Sequence, residues 1–213
     1  MIAPGQPAHN RLRPKISMLV SYQLPFKFEP DSLKADLGRV LSTDWRPHFN
    51  RPYYEGEWKA LALRSTTGQA NQIYRSPDDE REPMDTVVLS RCAYFQAVLK
   101  TFQCPVLNAR LMSLSPGSTI REHEDHQMGF EYGLIRIHIP IVTDERVKFF
   151  VGHQRLSMKE GEAWYIDFAQ PHSVHNLSDA SRVHLVLDCT VNDWLRALFP
   201  AGQVPAQLSE VGS

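Results

Sequence analysis

The sequence has only three cysteines, Cys92, Cys104 and Cys189. They are odd in number and without CxxC spacing, which argues against a disulfide framework, a structural zinc site or a dithiol redox centre. A reduced, cytoplasmic setting is the default expectation. No apolar run reaches the roughly 18 residues of a membrane-spanning helix. Met1 to Lys15 is polar and proline-containing, so it reads as a loose terminus rather than a signal peptide. The formal net charge is −1, which gives no electrostatic case for nucleic acid or an anionic membrane as partner. Internal repeats and low-complexity segments are also missing. What remains, 213 residues with 42% hydrophobic and 22% charged, suits one well-packed globular domain.

The first half predicts two helices and two strands. Ser17–Tyr22 reads as a short strand, and Asp31 or Ser32 can cap a helix with Leu33, Leu37, Val40 and Leu41 on one face. Trp58–Arg64 reads as a strand. Ser76–Pro83 is a polar, acidic loop. Ser90 can cap a second helix on which Phe95, Val98, Leu99 and Phe102 share a face. From Leu107 on, short strand-like runs alternate with turn signals: Leu107–Leu114, Leu134–Val142, Val147–Val151, Ala163–Asp167, His172–Asn176 and Arg182–Val191. Asn192 can cap a last short helix stopped by Pro200. Regular short strands preceded by helices predict a sandwich or barrel with helices packed on one side.

Two strands carry the step from fold to chemistry. Leu134–Ile141 puts Ile135, Ile137, Ile139 and Ile141 on one face, and Arg136 and His138 on the other. Arg182–Val191 likewise puts Val183, Leu185, Leu187 and Cys189 opposite Arg182, His184 and Asp188. On one strand an exposed polar face would be the simpler reading. Two strands that each pair an Arg with a His two residues on predict a polar cavity inside the barrel, with the aliphatic faces covered by helices. Arginines buried there need anionic partners, and a dicarboxylate ligand would supply them.

Into that cavity the sequence can deliver a metal site. His123 and Asp125 stand two apart, so in extended backbone both point the same way, and by the same parity His126 and His175 point away. His172 comes from a later strand. Two imidazoles and one carboxylate leave three positions of an octahedral metal open, which suits Fe(II) with a bidentate 2-oxo acid and O2. A His-x-Asp alone arises by chance in many proteins. It gains weight from Arg182, whose guanidinium can take a carboxylate in bidentate fashion.

These residues support a family comparison. Trp58 with Leu61–Ser65, Ala109–Leu111 leading to Ser115–Gly117, His123–Asp125, Gly133–His138, Gly161–Tyr165, Pro171–His172 and Arg182–Leu185 occur in one order over about residues 45–195. In these stretches the chain resembles the aspartyl/asparaginyl β-hydroxylase family of Fe(II)- and 2-oxoglutarate-dependent dioxygenases, including small bacterial members and the related free-proline hydroxylases. The resemblance implies a double-stranded β-helix (jelly-roll) core that is mainly β with flanking helices. It implies Fe(II) held by His123, Asp125 and His172, with 2-oxoglutarate and O2 as co-substrates and Arg182 on the far carboxylate of 2-oxoglutarate. Arg136 and His138 match positions lining the co-substrate and substrate pocket, and Arg110 matches an arginine of the proline-hydroxylating relatives. The implied reaction is hydroxylation of an amino acid, peptide or carrier-linked residue, with release of succinate and CO2.

The expected layout is a flexible stretch 1–15, a single domain 16–200 with its catalytic core at about 105–192, and a flexible tail 201–213. No oligomeric state is implied. Two other classes compete. A jelly roll of the same fold could be a non-catalytic metal- or ligand-binding or sensing module, which would not need all four of these residues. A zinc hydrolase could use Glu122 or Glu124 as base, but Arg182 would then have no function.

Overall fold

Alternation on two central strands sets the layout. In the computed structural model, which describes residues 19–76 and 79–204, Ile135, Ile137, Ile139 and Ile141 are all fully buried on one face of their strand, and Arg136 and His138 lie on the other. Those aliphatic side chains join Leu185, Leu187 and Cys189 of the neighbouring strand in the larger of two apolar clusters.

In chain order the first half contains β1 (Ser21–Lys27), α1 (Pro30–Leu37), β2 (Arg46–Pro47), β3 (Tyr54–Glu55), β4 (Trp58–Ser65), β5 (Met84–Asp85), α2 (Val87–Ser90) and α3 (Ala93–Thr101). The second half contains β6 (Val106–Leu114), β7 (Thr119–His123), β8 (Leu134–Val142), β9 (Val147–Val151), β10 (Gln154–Leu156), β11 (Glu162–Ile166), β12 (His172–Asn176), β13 (Arg182–Thr190) and α4 (Asp193–Ala197). One sheet runs β1-β11-β8-β13-β6-β4-β2, with β5 added on β4, and the other runs β10-β9-β12-β7-β3. This is a jelly roll, mainly β with flanking helices, as expected. α1, α2 and α3 cover the outer face of the larger sheet through Leu33, Val88, Leu89, Phe95, Val98 and Leu99. A second apolar cluster, with Trp58, Met112, Ile120, Phe149, Phe168 and Val186, lies between the sheets.

The strands expected from Leu107 on are present within a residue or two at each end. Several other expectations need correction. The first strand is Ser21–Lys27 rather than Ser17–Tyr22, and Ser17 and Met18 lie outside the described residues. It continues through Pro25 because β1 is an edge strand, where a missing N–H costs no ladder bond. α1 begins at Pro30, whose φ is pre-set for a first helical turn, and ends at Leu37, so Leu41 is exposed rather than part of an apolar face. Thr86, not Ser90, caps the second helical region, and Cys92 separates α2 from α3. The strand β7 was not anticipated. Residues 1–15 and 205–213 also lie outside the described residues. No helix among the described residues is long and apolar enough to cross a membrane.

One buried acid fixes the helices to each other. Asp36 at the end of α1 is fully buried, accepts the Phe95 backbone N–H of α3 at 2.8 Å and pairs with Arg39. Asp36→Ala is expected to destabilise the fold by about 2–3 kcal/mol by stranding that N–H. The check is a lower urea midpoint at unchanged m-value. An unmoved midpoint would show that the contact is incidental.

Candidate active site

The site opens between the sheets, in a cavity of about 300 Å³ lined by His123, Asp125, His172, Arg110, Arg136, His138 and Arg182. All seven residues expected from the sequence therefore reach one cavity. Strand pairing explains how residues so distant in sequence meet. His172 on β12 pairs directly with His123 on β7. The Asp125 backbone N–H donates to the Phe168 carbonyl at 2.9 Å, which holds the chain beyond β7 beside the loop before β12.

His123, Asp125 and His172 form the metal-competent cluster found among the described residues, with potential ligand atoms all within 4.8 Å of one another. The histidines are set for ligation. His123 Nδ1 donates to the Arg121 carbonyl at 2.8 Å, and His172 Nδ1 to the Gln170 carbonyl at 3.0 Å. Each proton is thereby placed on Nδ1, leaving the Nε2 lone pair for a metal. Burial, followed by His123, draws the His172 pKa down to about 4, so this ring is neutral near pH 7. Asp125 Oδ1 lies 3.8 Å from His123 Nε2, and its Oδ2 accepts from Arg136 Nη1. Burial alone would raise the Asp125 carboxyl pKa. Arg136, His172 and His123 together outweigh it and keep the group below its ordinary value. The donor set fits Fe(II), with one carboxylate oxygen engaged by Arg136 and the other free.

Arg136 is also one of two guanidiniums on a single acid. Its Nε donates to Asp188 Oδ1 at 2.7 Å, and Arg110 Nη1 donates to Asp188 Oδ2 at 2.6 Å. Burial opposes ionisation of Asp188, but Arg110 and Arg136 overcome it and bring the pKa to about 2. The sequence reading placed Asp188 on the polar face of its strand but gave it no role. An acid on a face otherwise carrying cations is the signal that could have found it.

The deep end differs, because Arg182 pairs with no acid among the described residues. It is 2% exposed, donates from Nη2 to the neutral His184 Nδ1 at 2.8 Å, and lies over the Phe149 ring at 5.4 Å. Among the described residues its buried Nε has no hydrogen-bond partner, and neither do the buried Nε2 atoms of His138 and His184. Burial alone draws its pKa down to about 9, which still leaves it charged near neutral pH. His138 Nδ1 lies 3.1 Å from His184 Nδ1, and since Arg182 can only donate, His184 Nδ1 must accept.

Parity did not place every residue. His175 does point away, to Thr119 Oγ1 at 3.2 Å. His126, however, lines the cavity together with Glu124. β7 ends at His123 and the chain turns back, with Gln127 at φ 59°, so strand alternation no longer applies. The aromatic wall was also missed. Tyr53 stacks on His123 at 4.9 Å, and Phe168 stacks on His138 at 5.0 Å. His48, Phe49 and Tyr74 line the cavity too.

Comparison with known proteins agrees with this geometry. Over 161 residues the chain is 27% identical to L-proline cis-4-hydroxylase from Rhizobium meliloti (strain 1021), a match covering 73% of this chain and 56% of that relative, so it spans little more than half the relative's length. The fold is similar to that of an oxidoreductase of the 2OG-Fe(II) oxygenase family from Burkholderia pseudomallei, with a TM-score of 0.53, 14% identity, and coverage of 80% of this chain and 85% of that one. Residues 29–191 match the model of the aspartyl/asparaginyl beta-hydroxylase family. That match runs from α1 to the end of the last strand and includes every cavity residue expected from the sequence, so the chain belongs to the aspartyl/asparaginyl beta-hydroxylase family.

Proposed function

We propose that this protein is a Fe(II)- and 2-oxoglutarate-dependent dioxygenase that hydroxylates a small free amino acid, releasing succinate and CO2. The observation that carries this reading is Arg182. A buried guanidinium without an acid costs several kcal/mol, and it stands in the same cavity as the two-histidine, one-aspartate cluster. A dicarboxylate spanning the cavity relieves that cost at one end and leaves its other end at the cluster.

His123, Asp125 and His172 would hold the iron. When bound, it supplies the redox chemistry that couples 2-oxoglutarate oxidation by O2 to substrate hydroxylation. The rest falls to the chain. Arg182 grips the distal carboxylate, and Phe149, which lies against its guanidinium, keeps water from it. Arg136 holds Asp125 in place. Arg110 and Arg136, balanced in charge by Asp188 and Asp125, would donate guanidinium N–H bonds to the carboxylate of the substrate. Their burial favours a free amino acid over a carrier-linked or peptide-internal residue, which has no such carboxylate. The L-proline hydroxylase relative supports the same class.

The test is a screen of amino acids, short peptides and carrier-linked aminoacyl groups, with Fe(II), 2-oxoglutarate and air. At least one free amino acid is expected to give substrate-dependent succinate and a product about 16 Da heavier, the mass of one inserted oxygen. Activity only on peptides or carriers would refute the substrate class. No succinate with any compound, together with no visible band on anaerobic mixing with Fe(II) and 2-oxoglutarate, would refute the reaction.

A further inference from the structure

The roles above leave unused the wall that precedes β4. There, His48 is clamped through its backbone: its N–H donates to the Trp58 carbonyl at 2.8 Å, and its carbonyl accepts from the Tyr54 hydroxyl at 3.1 Å. The ring is held as firmly. It stacks on Trp58 at 3.5 Å and 11°, and Phe49 stacks on it at 4.7 Å and 22°. The residue is 7% exposed and is among those lining the cavity.

Its tautomer follows from its neighbours. Nδ1 faces the Asn50 backbone N–H at 3.4 Å, a group that can only donate, so Nδ1 accepts and the proton sits on Nε2. Nε2 has no partner among the described residues. Burial, followed by Arg110 and Arg136, presses the pKa of His48 down to about 3, so the ring is neutral at working pH, and all three residues line the same cavity. The result is an immobilised neutral ring on the cavity that both guanidiniums also line. No side-chain acid is paired with it among the described residues.

We propose that His48 is a substrate-binding residue whose Nε2–H donates to the same carboxylate that Arg110 and Arg136 receive. The assignment rests on the reading that an amino acid is the substrate, and adds a third, uncharged donor contributed from outside the central strands. Two arginines that already share Asp188 have donors committed elsewhere, and leave the orientation of a further carboxylate incompletely fixed. A donor fixed on an aromatic stack accepts it in one orientation, and so sets which carbon of the substrate faces the metal cluster.

The experiment compares wild type with His48→Phe, which keeps the stacking and removes the donor, and His48→Gln, which restores an N–H. The probes are the twenty common L-amino acids and the α-amide of each that binds, titrated calorimetrically into the anaerobic protein loaded with Fe(II) and 2-oxoglutarate. At least one amino acid is expected to bind wild type more tightly than its amide. His48→Phe should weaken that amino acid about 10- to 100-fold, the effect of one hydrogen bond to a charged group. It should weaken the amide, whose neutral carbonyl is the poorer acceptor, clearly less than the acid. It should leave the visible Fe(II)–2-oxoglutarate band unchanged, and His48→Gln should recover part of the loss. In turnover, the loss should appear in KM more than in kcat.

Equal affinity in wild type and His48→Phe overturns the assignment, and so does an equal loss for acid and amide, which marks a packing role. No amino acid binding to wild type overturns this assignment and the amino-acid reading together. Binding that depends on His48 without succinate formation in air leaves the assignment standing and refutes the hydroxylase reading.

Discussion

Arg182→Met is expected to raise the apparent requirement for 2-oxoglutarate by two to three orders of magnitude and, in the same protein, to stabilise the ligand-free fold. The two effects have one cause. Truncating one side of a buried charged hydrogen-bonded pair costs about 2–5 kcal/mol of binding, or about 30- to 5000-fold in affinity. In the absence of the ligand the guanidinium is only a liability: it is 2% exposed, and among the described residues its Nε is unpartnered and its hydrogen-bonded neighbour, His184, is uncharged. Replacing poorly compensated buried charge by an apolar chain of similar length often stabilises by about 1–4 kcal/mol, and each kcal/mol moves Tm by about 2–4 °C in a domain of this size. Thermal melts of metal-free wild type and variant, with and without 2-oxoglutarate, separate the terms. Wild type should gain stability with the ligand, following the mass-action dependence on its concentration, and the variant should not. An unchanged 2-oxoglutarate requirement would remove Arg182 from the co-substrate site. A lower Tm for the ligand-free variant would mean that the charge supports the fold instead.

The same physical terms explain what could be read from the sequence. β8 and β13 were legible because four apolar residues at period two on each (four isoleucines on β8; Val183, Leu185, Leu187 and Cys189 on β13) leave no choice of buried face, and the opposite faces then had to hold Arg136, His138, Arg182 and His184 between the sheets. His123 and Asp125 do reach one side as extended parity expects, although β7 ends at His123 and Asp125 is held by its backbone bond to Phe168. Parity failed one residue later, since the turn at Gln127 carries His126 back to the cavity. The partnership of Asp188 with Arg110 and Arg136 spans 78 and 52 residues, and no local pattern encodes a separation of that kind. β7 went unread because Arg121 and Glu122 are both exposed, which breaks the alternation expected of a strand. His48 and Tyr53 lie among two- and three-residue elements between α1 and β4, too short for any periodicity, so their places depend on the Trp58 backbone and the His123 ring that they pack against.

The largest expected loss of activity comes from the metal cluster. His172→Ala and Asp125→Ala should each abolish substrate-dependent succinate formation, because either leaves two protein ligands where a third is needed to hold the ion. Folding must be separated from ligation, since His172 is buried and packs edge-on against Phe168 at 4.6 Å. Removing the ring costs packing, so a Tm lowered by a few degrees is compatible with lost ligation, whereas loss of the cooperative melt is not. Asp125 gives the cleaner comparison. Arg136 keeps Asp188 when Asp125 is truncated, so no guanidinium is stranded and the fold should be nearly as stable as wild type. Co(II) titration followed by visible absorption reads ligation directly, without turnover. Wild type should give a saturable spectrum, and both variants should fail to saturate at concentrations that fill wild type. Imidazole added to His172→Ala has a space of its own shape to enter and should restore part of the Co(II) spectrum, while Asp125→Ala, which lacks a carboxylate, should not respond to it. Wild-type titration curves in both variants would remove these residues from the metal site. Rescue of both by imidazole would mean that the spectrum reports general ligation at the surface, and not this cluster.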